Sequence, residues 1–137
     1  MSDRADLVPG VRSHWIDAEE GRFVAGAGGG GPPLLLLHGY PQTHVEWHAI
    51  APRLAERFTA VAMDLRGYGW SPLPSSQNGD GMTKRALGTD AVAVTAPLGH
   101  AKLSLVGHAR GARVAELLAH DPPVLLATTV VLPTRPP

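Results

Sequence analysis

The stretch LVGHARGARV, residues 105–114, joins an apolar run to a helix-forming run through a turn that carries Gly107 and Gly111. A sharp strand-to-helix turn forces its middle side chain into an exposed, strained position, and flanking glycines let neighbouring backbones pass closely. Such a turn presents a nucleophile. Its middle residue here is Ala109, whose methyl group cannot attack carbon. Arg110 and Arg113 follow at once. A guanidinium pair suits a carboxylate through bidentate, charge-assisted bonds, and arginines early in a helix also serve as solvated charges or as partners of a nearby acid.

The remaining polar residues read mainly as framework. His38, in HGYP, is expected to anchor its loop by hydrogen bonds rather than to act as a base. His44 and His48 have the spacing of two metal ligands on one helix face, but no third ligand is evident. A surface or rim position is expected for both, and no metal. His100 and His108 are expected to frame the loop and the turn. DLRGYG, residues 64–69, reads as a structural turn in which Asp64 bonds local N–H groups and the glycines permit positive φ. GAGGGG precedes a strand instead of following one, so it is not a dinucleotide fingerprint. Ser104 lies inside a strand-like run, which argues against a serine esterase. No cofactor is implied.

These residues must be positioned by an alternation of strand and helix. VRSHWID and RFVAGA predict an antiparallel strand pair after a flexible lead-in over residues 1–10. LLLLH has the continuous apolar character of a strand buried on both faces. VEWHAIAPRLAERF predicts a helix over residues 45–58, with Pro52 as a poor helix residue near its middle. TAVAMD and KLSLVG are further buried strands, ARGARVAELLAH a helix, and VLLATTVVL a last strand. TKRALGTDAVAVTAPL has an N-cap in Thr83, but Gly88 and Pro97 would cost about 1 and about 3 kcal/mol at interior helix positions. The order predicts a three-layer α/β fold with a mostly parallel sheet, begun by the antiparallel pair.

Composition bounds the function classes. In 137 residues, 44% are hydrophobic, enough to build one domain's core. Lysine plus arginine number 12, as do aspartate plus glutamate, so no net field favours nucleic acid or a membrane surface. The absence of cysteine removes a thiolate nucleophile, a disulfide framework and a Cys metal site, which fits a cytoplasmic protein. The longest apolar run is too short to span a bilayer, and the first ten residues lack a signal core.

Taken together and in order, LLLLHGYPQTHVEWH, DLRGYGWS, MTKRA, LGH, LVGHARGAR and LPT resemble the α/β-hydrolase superfamily, in particular its haloacetate (fluoroacetate) dehalogenases and the related epoxide hydrolases. The resemblance covers the chain from residue 11 and implies the amino-terminal part of an α/β-hydrolase domain over residues 11–137. In those dehalogenases an elbow aspartate displaces halide from the carbon beside a carboxylate, and a His–Asp pair hydrolyses the resulting ester. Here the nucleophile position is Ala109 and the acid position is Val130. The catalytic histidine and the cap domain belong to a carboxyl-terminal part that this chain is expected to lack. The resemblance further implies that Arg110 and Arg113 hold the substrate carboxylate. The backbone N–H groups of Tyr40 and Arg110 fall at the oxyanion-hole positions, and His38, Gly39, Gly107, His108 and Gly111 form the framework.

Three functional classes follow. One is a hydrolase of haloacetate dehalogenase type, inactive as written. The second is a module that binds small carboxylates or haloacids without turnover. The third is a weakly folded product that self-associates through an open, apolar sheet edge.

Overall fold

The computed structural model describes residues 8, 10–18, 21–40, 42–69, 71, 83–96, 103–120 and 126–132. The first strands, β1 (Arg12–Ala18) and β2 (Gly21–Gly28), pair antiparallel, as expected of these two strand-like runs. Then come β3 (Pro33–Leu37), α1 (Ala51–Leu54), β4 (Thr59–Met63) and α2 (Lys84–Thr95). The series ends with β5 (Leu103–His108), α3 (Arg110–His120) and β6 (Leu126–Leu132). The sheet order is β1-β2-β4-β3-β5-β6, in which β4, β3, β5 and β6 run parallel and β2 joins β4 antiparallel. Strand and helix therefore alternate as predicted.

The central strand shows why this order holds. Every residue of β3 is buried, and its side chains alternate between two cores. Leu35 and Leu37 join Met63, Leu105, Leu87, Val114 and Leu118 under α2 and α3. Leu34 and Leu36 join Trp47, Ala51 and Ala62 on the opposite face, beside α1. Burial of Leu35, Leu36 and Leu37 is complete, and each stabilises the fold by about 2 kcal/mol relative to exposure. At the β6 edge of the described sheet, Val130 and Leu132 remain 43% and 44% exposed.

Two local expectations require correction. The helix expected over residues 45–58 is a 3₁₀ turn (His44–Trp47), capped by Thr43, and a separate single turn, α1. Pro52 causes the break: it has no N–H to donate and its ring clashes with the preceding turn, so the helix restarts with proline in its first turn. The second concerns Gly88, read as a conflict inside α2. The helix runs unbroken for 12 residues, with the Thr83 hydroxyl capping the Ala86 N–H at 3.1 Å. A Cβ at Gly88 would meet Leu118 Cδ2 at 3.2 Å, so the glycine gives α3 room to pack closely. Pro97 and His100 lie outside the described residues.

Candidate functional site

The turn after β5 has the expected geometry. Ala109 has φ 54°, and it is the one non-glycine with positive φ among the described residues. Holding an alanine there costs about 1–2 kcal/mol. A Cβ at Gly107 would collide with the Gly111 carbonyl oxygen, and one at Gly111 with the Leu37 carbonyl oxygen. Both glycines are thus required by close backbone passage. The turn is tied at both ends: Ala109 N–H donates to the Leu132 carbonyl at 3.1 Å, and Arg113 N–H donates to the Ala109 carbonyl at 3.3 Å.

The loop after β3 closes against this turn. A Cβ at Gly39 would lie 2.5 Å from the Ala109 Cβ and 2.9 Å from the His108 carbonyl oxygen. Glu46, which pattern reading passed over, links the two segments. Its Oε2 accepts the Gly39 N–H at 3.0 Å, and its Oε1 lies against His108 Nδ1. No spacing rule signals that contact, because it joins the β3–α1 connection to the end of β5, much further along the chain. Neither the Tyr40 nor the Arg110 backbone N–H bonds to another described residue, which leaves both as donors beside Ala109.

His38 is framework, as expected. It is fully buried; its Nε2 accepts the Leu65 N–H at 2.9 Å and its Nδ1–H donates to the Gly39 carbonyl at 3.0 Å. Burial holds its pKa below the usual 6.5, with the bond to Gly39 opposing the shift. The neutral ring has no nitrogen left for catalysis. His44 departs from the expected rim position. It is 2% exposed because Asp64 Oδ1 accepts both its backbone N–H, at 2.8 Å, and its Nδ1–H, at 2.7 Å. Asp64 therefore reaches a residue 20 positions away rather than serving only its own turn. The glycines of that turn, Gly67 and Gly69, do adopt positive φ. His48 is exposed, so the two histidines do not converge, and no metal cluster exists among the described residues. A buried pair not anticipated from sequence, Arg66 with Asp90, makes two 2.7 Å bonds that fasten the same turn to α2.

An open cleft of about 560 Å³ lies over Ala109, lined by Tyr40, Thr83, Lys84, Leu87, Ala109, Arg110 and Arg113. The structure thus brings together the expected nucleophile position, Ala109, with Tyr40 and Arg110, the residues expected to supply oxyanion-hole N–H groups, and Arg113, and it adds Lys84. Val130 is not part of the lining. It pairs with Val106 on β5 and shares that residue's face of the sheet, on the side of α1.

Strand order, glycine-flanked elbow and N–H donors define one class of protein: this chain belongs to the α/β-hydrolase fold family, whose pattern matches residues 32–134. It is 39% identical to the soluble epoxide hydrolase of Corynebacterium sp. strain C12 over 115 residues, covering 84% of this chain and 35% of that protein. It is 37% identical to the fluoroacetate dehalogenase of a Burkholderia species over 132 residues, covering 93% of this chain and 43% of that one. A solved structure of a candidate epoxide hydrolase from Pseudomonas aeruginosa superposes with a TM-score of 0.85 at 44% identity, covering 97% of this chain and 44% of its own. The chain thus spans less than half the length of each of these relatives. No helix among the described residues is long and apolar enough to cross a membrane.

Proposed function

We propose that this chain carries the substrate-holding part of a haloacid-type hydrolase site and binds small carboxylates without displacing halide. The observation that carries the reading is the juxtaposition, around one cleft, of Arg110 and Arg113 with an elbow whose reactive position is Ala109. Halide displacement by this mechanism requires a carboxylate oxygen that attacks carbon and is later released from the ester by water. A methyl group supplies neither step. The two N–H donors stabilise negative charge on oxygen, yet without a nucleophile they produce only binding. Arg110 and Arg113 have no ion-pair partner among the described residues, which leaves their donors available to a ligand.

Epoxide hydrolysis is the alternative, supported by the identity with the Corynebacterium enzyme. An epoxide is uncharged, however, and gives two convergent guanidinium groups nothing to neutralise. The arginines therefore favour the carboxylate.

Two measurements test the proposal. Halide release from fluoroacetate and chloroacetate should not exceed that of a heat-treated control; release above it would refute the absence of turnover. Isothermal titration should show saturable acetate binding that is lost in Arg110→Ala. A flat titration of the parent chain would refute the binding role.

A further inference from the structure

Among the described residues, three cations line the cleft, Lys84, Arg110 and Arg113, and no acid does. Among the described residues none of the three forms a salt bridge. Arg66 is held by Asp90 and Arg22 by Asp17, whereas Arg12, Arg53 and Arg57, like the cleft cations, form no salt bridge among the described residues but are not gathered in one cleft. Arg110 and Arg113 stand one helical turn apart on α3, a spacing at which like charges repel. Lys84 comes from a different element, the first residue of α2. The starts of both helices also border the cleft, so their partial positive charges add to those of the side chains. A single carboxylate would neutralise only one of three full charges.

We infer that the cleft takes a small dicarboxylate, with Lys84 holding a second carboxylate that the arginine pair does not reach. This inference rests on the carboxylate-binding reading above and narrows its ligand class. One carboxylate accepts the planar guanidinium donors of Arg110 and Arg113, which are matched to its two oxygens. The second meets the Lys84 ammonium beside the Thr83 hydroxyl, whose oxygen already accepts the Ala86 N–H and whose proton can donate outward. Leu87, Ala109 and the ring of Tyr40 offer apolar surface to the carbon chain between them. A compact inorganic dianion carries the same charge but has no such chain to pack.

The test is a set of titrations of the 137-residue chain at low ionic strength with acetate, malonate, succinate and inorganic phosphate. Malonate or succinate should bind roughly three- to fivefold more tightly than acetate, the gain expected for one added exposed ion pair. Lys84→Gln should bring that ratio close to one. Arg22→Gln, which removes a charge from the opposite part of the sheet, should leave the ratio intact. If acetate binds but the dicarboxylates bind no better, the dicarboxylate inference falls while the carboxylate reading stands. It also falls if the preference survives Lys84→Gln, or if phosphate outcompetes both dicarboxylates. If none of the four anions binds, both readings fall.

Discussion

Two polar regions of this molecule lie side by side and are built in opposite ways. Beneath the loops, His38, His44, Asp64, Arg66 and Asp90 are all buried, and each has a polar partner at hydrogen-bond distance. Around the cleft, Lys84, Arg110 and Arg113 are exposed and have no ion-pair partner among the described residues. A buried charge without a partner destabilises the fold, so the inner charges are paired within the protein. Solvent tolerates the outer ones, which can then wait for a ligand. The inner region holds the loops in place, and the outer region is where the proposed ligand would bind.

The contrast can be broken at several points, in order of expected effect. Asp90→Ala removes the carboxylate that makes two 2.7 Å bonds to the buried Arg66 guanidinium and should cost about 3–5 kcal/mol, read from the urea midpoint. A loss below 1 kcal/mol would mean that water replaces the carboxylate. Glu46→Ala frees the Gly39 N–H and the His108 ring and should cost about 1.5–3 kcal/mol, with faster hydrogen exchange at the Gly39 amide. An unchanged exchange rate would show that the loop is held by packing alone.

The His38 network predicts a pH dependence. Its folded pKa lies below 6.5, so the unfolded chain takes up the proton first as pH falls. The stability it contributes is complete above pH 6.5 and declines as pH drops below that value. Urea midpoints across this window should fall with pH in the parent chain and less steeply in His38→Asn; parallel slopes would assign the dependence to another group. The smallest effect is of opposite sign. Ala109→Gly relieves the positive-φ strain but adds freedom to the unfolded chain, and a net gain of about 0.5 kcal/mol is expected. A loss of stability would show that the Ala109 methyl packs productively against the Gly39 loop.

Much of this was legible along the chain because the relevant physics is local. LLLLH could only be a strand buried on both faces, and Thr83 ahead of a helix-forming run was a readable cap. The small residues around Ala109 foretold the elbow, since a turn that sharp excludes a Cβ at Gly107 and Gly111. The errors arose where distant segments decide the outcome. Gly88 looked like a defect until Leu118 packed against it, and His44 looked exposed until Asp64 drew it inward. Glu46 carried no signal at all, because one of its partners, His108, stands at the end of β5, far along the chain.

What the sequence determined by itself was the order of strands and helices, the form of the elbow and the presence of an alanine at its middle position, 109. Backbone sterics, hydrophobic periodicity and side-chain chemistry act within a few residues, so they can be read directly. Only the tertiary structure decided that Lys84 stands with Arg110 and Arg113, that Val130 lies outside the cleft, and that the buried charges are paired. Those are contacts between elements far apart in the chain. They exist because packing α2 and α3 on one face of the sheet brings the starts of both helices to a single opening.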